Sequence, residues 1–336
     1  LTAALAMFAW TLWRFTRMLL AGRAEKRTDR VEARVDSLLS FFFGQRKVIE
    51  TVDIPASRWP RFSNLMGSRH HFIIFWGFLV ICVGTLETLA QGLWPAFSWS
   101  LVMGDTLAGV LDAAVDSMNL LVLATIGFAF FRRLFLKPRL IPMSRDAAAI
   151  LAAIAILMVT HFAIHSFRAV AGAVEPGFFL SDWLAGALSG SVSPSTADVV
   201  SEVNWWVHVV VLLKFLNYLA YSKHSHILAA LPNIYFRELG QRGVLSKLNL
   251  EVDDIAQTGV VSEWKDFTWK SLLDSFACTE CARCSNYCPA NRTGKPLSPM
   301  QVVHDLRDDM KSRLPDRGPL DDIIERFQHG KAAADE

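Results

Sequence analysis

The sequence predicts an all-α membrane protein, a bundle of five transmembrane helices followed by a segment that carries a cysteine cluster. Hydrophobic residues make up 52% of the 336 residues, and eleven are Trp. Mean hydropathy is positive, at +0.29. This composition is typical of a membrane protein with a water-soluble extension. A formal net charge of +2 gives no indication of a nucleic-acid partner.

Five apolar stretches are long enough to cross a bilayer, which takes about 20 helical residues. They cover residues 1–20, 71–93, 113–135, 147–170 and 205–228. Arg14 and Arg17 lie in the last turns of the first stretch, where we expect them to snorkel to the membrane surface. The predicted membrane domain therefore covers residues 1–230, and residues 231–336 form a linker and the cysteine-bearing segment.

The loop charges predict the orientation. Lys and Arg are concentrated after the first span, before the second and after the third, whereas residues 95–112 and 175–204 contain neither. The positive-inside rule places the basic side in the cytoplasm. We therefore expect a multi-pass protein of the cell (inner) membrane, with its C-terminal segment in the cytoplasm.

Histidines at two depths suggest two stacked cofactors. His208 and His226 are 18 residues apart in the last predicted span. In one continuous helix this separation is five turns, so both rings would leave one face about 27 Å apart. Polar residues inside a membrane are usually functional, and neutral imidazole is a common axial haem ligand. The pattern predicts two b-type haems.

The orientation sorts the membrane histidines into a cytoplasmic and an outer group. We assign His71 with His226 to the inner haem and His161 with His208 to the outer haem. His165 shares a helix face with His161 and is the alternative outer ligand. The other candidates are His70 and His224 for the inner haem and Arg168 for a propionate. The alternative for any single histidine is an interfacial residue satisfied by lipid headgroups.

The remaining charged residues in or near the apolar spans are Asp112, Asp116 and Lys214. Charged groups at such positions often mark substrate or proton pathways. Lys214 is a candidate quinone or proton contact, and equally a structural hydrogen-bond donor.

Four cysteines lie within eleven residues: Cys278, Cys281, Cys284 and Cys288, the last followed by proline. This C-x2-C-x2-C-x3-C-P run is typical of ferredoxin-type [4Fe–4S] sites. Zinc is disfavoured because no second C-x2-C pair completes a tetrahedral site. Either Cys288 closes the same cluster, or it binds a second cluster whose other ligands lie beyond this sequence; we expect the second.

Two segments resemble the nitrate reductase gamma-type cytochromes b. YSKHSHILAALPN is similar to the end of that family's last span, and His208 and His226 match its haem ligands. HHFIIFWGF is similar to its histidine-led second span and puts His71 in the matching place. The resemblance implies a further outer ligand in the second span, yet Ile81 stands ten residues after His71. For this reason His161 takes the outer role.

Two other segments, GQRK and GKPLSPMQVVHDLR, resemble membrane iron–sulfur oxidoreductases related to heterodisulfide reductase. The most similar group is the electron-transfer-flavoprotein:menaquinone oxidoreductases. That resemblance implies a ferredoxin-like fold around the cysteine run, and a second run and CCG domains that these residues do not include. We therefore expect this chain to stop before them.

Together these patterns predict a respiratory-chain quinone oxidoreductase. Electrons would pass from a cytosolic donor, for which electron transfer flavoprotein is favoured, through [4Fe–4S] clusters and two haem b groups to menaquinone. One alternative is a thiol or disulfide:quinone oxidoreductase like heterodisulfide reductase. Another is a membrane anchor whose haems are structural.

Overall fold

The computed structural model describes residues 1–49, 69–137, 143–241, 251–252, 261, 263–313 and 319–329. Within these ranges the chain is helical and has no β-strand, as the sequence predicts. Arg23 and Thr268 form an isolated parallel bridge. The chain divides into two compact units. Unit 1 comprises Leu1–Leu5 with Ile54–Leu216, and unit 2 comprises Ala6–Asp53 with Asn217–Glu336.

The α-helices of the described residues are numbered in chain order. They are α1 Thr2–Leu20, α2 Val31–Ser37, α3 Arg46–Ile49, α4 Arg69–Gln91, α5 Ser100–Met103, α6 Asp105–Phe131, α7 Arg145–Val170, α8 Phe179–Leu188, α9 Pro194–Leu219, α10 His226–Tyr235, α11 Trp269–Phe276, α12 Arg283–Tyr287, α13 Pro289–Arg292, α14 Pro299–Ser312 and α15 Pro319–His329. Short π-helical turns extend α2 and α6, at Leu38–Phe43 and Arg132–Leu136.

Among the described residues, four helices are long and apolar enough to cross a membrane, namely Arg69–Gln91, Asp105–Leu136, Arg145–Val170 and Pro194–Leu219. They correspond to four of the five predicted spans. Helix α1 is not among these four. Arg14 and Arg17 lower its mean hydropathy, so the fifth span stays a prediction.

The two arginines of α1 differ in their surroundings. The Arg14 side chain is 4% exposed and forms an ion pair at 3.0 Å with the Asp321 side chain, which is 7% exposed. Arg17 is exposed, and its guanidinium lies 4.8 Å from the centre of the Trp13 ring. The prediction that Arg14 snorkels to the surface is therefore wrong: its charge is neutralised by a buried carboxylate of α15.

The last predicted span is shifted along the chain. Helix α9 begins at Pro194 and ends at Leu219, and His226 begins the separate helix α10. The Ser222 hydroxyl accepts a hydrogen bond from the His224 backbone N–H at 3.1 Å and caps a short 3₁₀ turn at Lys223–Ser225. His208 and His226 therefore do not share one helix, and the prediction of a common helix face five turns long is wrong.

Close backbone contacts pack the helices of unit 1. Its core includes Val122, Ile126 and Met158, with Leu212 of α9 packed against them. Gly77 of α4 faces α6 so closely that a Cβ there would lie 2.4 Å from Val122 Cγ2. Large apolar side chains such as Trp76 and Val210 are exposed on α4 and α9, as lipid-facing helices require.

Unit 2 has its own core, in which Phe15, Tyr221, Leu272 and Met310 are buried. Arg34 of α2 is 1% exposed and all its outer nitrogens are engaged. They donate to the carbonyl and carboxylate of Asp29 and to the carbonyls of Tyr235 and Arg237. Helix α2 is thereby tied to the end of α10.

Candidate functional site

Three of the predicted outer-haem candidates line one cavity in unit 1. His161 and His165 of α7 and His208 of α9 enclose it with residues of α4 and α6, and its volume is about 350 Å³. This is within the usual range for a ligand pocket. The two α7 rings are 4.7 Å apart between centroids. We refer to this space as the three-histidine cavity.

The proton on His208 is assigned by its neighbour Thr160. His208 Nδ1 lies 2.8 Å from Thr160 Oγ1, while the same hydroxyl is 2.8 Å from the Ile156 carbonyl oxygen. The hydroxyl has one proton, and the Ile156 carbonyl is an acceptor for it. With the proton on that carbonyl, Thr160 Oγ1 accepts from His208 Nδ1–H, and the lone pair of His208 is on Nε2. A metal-ligating histidine commonly has this arrangement.

His165 is held in the same manner, by a carboxylate. Its Nδ1 lies 2.5 Å from Glu175 Oε2, and Arg168 Nη1 lies 3.2 Å from Oε1 of the same residue. Burial alone would raise the pKa of the Glu175 carboxyl, but His165 and Arg168 hold it below its usual value. The ionised carboxylate accepts the Nδ1 proton, so the lone pair is again on Nε2. Phe178 stacks on the ring at 3.8 Å.

His161, the first choice for the outer ligand, is oriented differently. Its side chain is 10% exposed, and Nε2 is 3.4 Å from Asp116 Oδ1. Among the described residues Nε2 makes no hydrogen bond of good geometry. The nitrogen that would bind iron therefore faces a buried carboxylate. The hydrogen bonds favour His165 over His161, although neither role is tested by them.

Asp116 has a structural role that the sequence did not reveal. Its carboxylate accepts from the Leu180 and Ser181 N–H groups at 2.7 and 3.3 Å, and from the Ser181 hydroxyl at 2.8 Å. These are the orphan donors at the start of α8. The carboxylate thus docks this short helix onto α6. No local sequence pattern indicates this contact, because Asp116 and the start of α8 are far apart in the sequence.

The position that lacks the family's histidine lies at the same cavity. Ile81 of α4, ten residues after His71, lines the cavity together with His161, His165 and His208. An outer ligand in the second span would therefore reach this cavity. Two histidines of α7 line the same cavity, and the assignment of the outer ligands stays a prediction.

The predicted inner ligands are divided between the two units. His70 and His71 begin α4 in unit 1, and the His70 ring contacts Phe128 at 5.6 Å. His224 and His226 belong to unit 2, where their rings stack at 5.4 Å. His226 Nδ1 donates to the Lys223 carbonyl at 2.8 Å, so Nε2 is its basic nitrogen. The pairing of His71 with His226 stays a prediction.

The four clustered cysteines lie on a bent loop that contains α12, here called the cysteine loop (residues 278–288). Cys278 and Cys281 precede α12, Cys284 lies in it and Cys288 follows it. None of the four is in a disulfide. Cys281 and Cys284 are exposed, whereas Cys278 and Cys288 are partly buried. In the described part of the chain no three His, Cys, Asp or Glu side chains are gathered closely enough to hold a metal ion.

The backbone of the cysteine loop is strained. Glu280 and Ala282 adopt left-handed conformations, with φ of 55° and 60°. Such values are uncommon for residues other than glycine, and strain of this kind is often stored at functional sites. Turns with left-handed residues also recur where backbone N–H groups line Fe–S sites. Four cysteines in this spacing on such a turn fit a [4Fe–4S] cluster.

His304 is a site residue that the sequence analysis missed. Its position in the predicted water-soluble segment is typical of a solvated surface histidine. In the structure its Nε2 lies 3.8 Å from Cys278 Sγ, and its side chain is 14% exposed. Burial raises the pKa of the Cys278 thiol, and the charge of Arg307 works against that rise. His304 and Arg307 both belong to α14, in the segment GKPLSPMQVVHDLR that follows the cysteine loop.

Comparisons with known proteins were made after this geometry was defined. No protein-family model and no solved structure matches the chain. It is 28% identical over 295 residues to the probable iron-sulfur-binding oxidoreductase FadF of Bacillus subtilis, covering 87% of the chain and 39% of that protein. It is 29% identical over 327 residues to the EtfAB:quinone oxidoreductase of Syntrophomonas wolfei, covering 94% of the chain and 42% of that protein.

A shorter similarity has higher identity. Fifty-seven residues, 17% of the chain, are 42% identical to 8% of a probable membrane-anchored ferredoxin of Chromohalobacter salexigens. The chain spans about two fifths of the length of the first two relatives. Together the three similarities support a membrane-associated iron–sulfur protein of the electron-transfer oxidoreductase class. The donor, the quinone and the haems are matters for the proposal below.

Proposed function

We propose that this chain is the membrane portion of a quinone oxidoreductase, which moves electrons from a cytosolic flavoprotein to menaquinone. The observation that carries the proposal is a combination within one chain. Histidines with engaged Nδ1 atoms lie in helices long enough to span a membrane. Four free thiols in ferredoxin spacing follow them. The similarity to an EtfAB:quinone oxidoreductase over 94% of the chain supports the choice of donor.

The histidine residues fit b-type haems at two levels. For the outer level we propose His208 with His165, and His161 remains the alternative. Thr160 and Glu175 hold the two rings with Nε2 basic. For the inner level we propose His71 with His226, whose Nδ1 donates to the Lys223 carbonyl. Resemblance to nitrate reductase gamma-type cytochromes b supports both levels.

The other polar residues keep these groups oriented. Arg168 shares Glu175 with His165 and remains the candidate propionate contact. Cys278, Cys281 and Cys284 would hold a [4Fe–4S] cluster, and Cys288 would hold the same or a second one. When bound, these cofactors supply one-electron carriers, which the amino-acid side chains lack. The chain positions them and tunes their potentials through hydrogen bonds and burial.

The orientation proposed from the loop charges places the cysteine loop in the cytoplasm and the three-histidine cavity in the outer half of the membrane. The positive-inside pattern supports this arrangement. Electrons from a soluble donor would then enter at the cysteine loop.

A rapid-mixing experiment tests this function. Anaerobic purified protein is mixed with reduced electron transfer flavoprotein, the haem absorbance bands are followed, and a menaquinone analogue is then added. We expect haem reduction and then reoxidation by quinone, and neither in a Cys284→Ala control that retains its haem. Haem reduction by a dithiol but not by the flavoprotein would favour the heterodisulfide-reductase-like alternative.

A second candidate is a membrane anchor with a ferredoxin segment, which the similarity over 57 residues favours. The same experiment separates it from the first. An anchor with structural haems would show no reoxidation by quinone, whereas the proposed oxidoreductase requires it.

A further inference from the structure

Two cationic side chains and an imidazole converge on one carboxylate inside the cysteine loop. Glu280 lies between Cys278 and Cys281, and its side chain is 25% exposed. Lys223 Nζ lies 3.3 Å from Oε2, while Arg307 Nη2 and His304 Nε2 lie 3.6 and 3.8 Å from Oε1. The Glu280 carboxylate therefore faces several proton-donating groups, and a further acceptor beside them would find donors already in place.

Arg307 provides the clearest sign of such an acceptor. Its side chain is only 7% exposed, and within the described residues its Nη1 and Nε make no hydrogen bond. Asp308 Oδ1 lies 3.6 Å from Nε. A buried guanidinium with unsatisfied N–H groups is costly unless an acceptor is present. An anionic acceptor beside the cysteine loop would satisfy these groups.

His304 gives a second, independent indication from the same helix. It precedes Arg307 by three residues, so both side chains leave one face of α14. His304 Nε2 is 3.8 Å from Cys278 Sγ, and sulfur accepts hydrogen bonds at longer distances than oxygen. Both donors therefore face the thiol that the sequence assigns to the cluster.

We propose that His304 and Arg307 donate hydrogen bonds to the sulfur atoms of a [4Fe–4S] cluster held by the cysteine loop, and that they raise its reduction potential. Glu280 is the positioning residue that orients both donors. One-electron reduction adds negative charge to the cluster, and buried donors stabilise that charge. The inference rests on the proposed function only in requiring a cluster at these cysteines.

The test is a redox titration of the full purified chain, in which electron paramagnetic resonance measures the signal of the reduced cluster. We expect Arg307→Leu to lower the ratio of reduced to oxidised cluster about tenfold at a fixed potential, which corresponds to about 59 mV for one electron. Arg307→Lys keeps the charge and should shift the curve less. The matched control is Arg313→Leu on the same helix, where Arg313 is exposed and paired with Asp309.

Two outcomes would overturn the proposal: an unshifted curve in Arg307→Leu, or an equal shift in Arg313→Leu. If Arg307→Leu fails to assemble a cluster, Arg307→Lys and His304→Gln decide, since both retain a hydrogen-bond donor. The reduction potentials of both variants must then be lower than that of wild type. Failure of the proposed function looks different, because wild type itself would lack a cluster signal or would reduce no haem.

Discussion

The three-histidine cavity and the cysteine loop differ in how firmly their candidate ligand side chains are held. In the cavity, His165 and His208 each have Nδ1 engaged by an oxygen acceptor. In the cysteine loop, Cys281 and Cys284 are exposed, and Glu280 and Ala282 are strained. The cavity is preorganised by hydrogen bonds inside apolar helices. In the cysteine loop, a bound group would have to hold the exposed thiols in place.

This difference follows from the chemistry of each environment. A membrane-embedded imidazole cannot leave Nδ1–H unsatisfied, because no water is available to accept it. Its orientation is therefore built into the helices. A thiol at an aqueous surface has no such requirement, and cluster binding can supply the ordering energy.

The two regions should lose their cofactors independently. Cys281→Ala removes an exposed thiol of the predicted cluster, and we expect at least a tenfold loss of the [4Fe–4S] signal with unchanged haem content. Iron, sulfide and pyridine haemochrome assays on one preparation measure both. Cys82→Ala, at a cysteine outside the run, is the control. Loss of haem together with the cluster would show that the regions are coupled.

The buried ion pair of unit 2 should matter more than any surface charge. Arg14→Leu leaves Asp321 buried without its cation, and we expect a loss of about 3–5 kcal/mol of stability. Thermal unfolding of the protein in detergent, followed by a signal that reports on unit 2, measures the change. Arg17→Leu removes an exposed cation from the same helix and should have little effect. The double variant Arg14→Leu with Asp321→Leu should recover most of the loss.

Asp116 should stabilise the cavity wall. Asp116→Ala strands the Leu180 and Ser181 donors, and each buried unsatisfied donor costs about 1–3 kcal/mol. We expect a total near 3 kcal/mol for unfolding of the helical bundle, and about half that for Asp116→Asn, which keeps one acceptor. The exposed Asp182 on α8 is the matched control, since Asp182→Ala removes at most about 1 kcal/mol of dipole interaction. Equal effects would refute the docking role.

Thr160 should control the haem affinity of the cavity without being a ligand. Thr160→Val removes the acceptor of His208 Nδ1–H, and changes of this kind typically lower cofactor affinity about 10–100-fold. Haem retention after dialysis against apomyoglobin measures this loss. Thr160→Ser should behave like wild type. Thr125→Val removes a comparable buried hydroxyl of α6, bonded to the Val122 carbonyl, and should retain haem.

Composition and hydropathy predicted the coarse architecture well. The helical fold and four span-length helices follow from runs of apolar residues, whose signal is local and strong. The error lay at the end of the last span. YSKHSHIL follows a long apolar run, and the prediction continued the helix through it, but Ser222 offers its hydroxyl to the backbone and starts a new turn. Capping of this kind depends on a few atoms and is hidden by hydropathy averages.

The site was predictable only where one residue type carries the signal. Histidine spacing indicated His161, His165 and His208, which do share a cavity. The order of preference between His161 and His165 depends on Asp116 and Glu175, which lie on other segments of the chain. His304 and Arg307 were not identified, because their role depends on the packing of α14 against a loop whose φ angles no sequence pattern reports.

The most direct test of the central claim is the haem content of His208→Ala, His165→Ala and His161→Ala, measured by pyridine haemochrome with dithionite-reduced minus oxidised spectra. We expect about two b haems in wild type, the loss of one in both the His208 and His165 variants, and full retention in the His161 variant. Loss with His161→Ala and retention with His165→Ala would contradict the ligand choice made from the hydrogen bonds. Absence of haem from wild type would contradict the account as a whole.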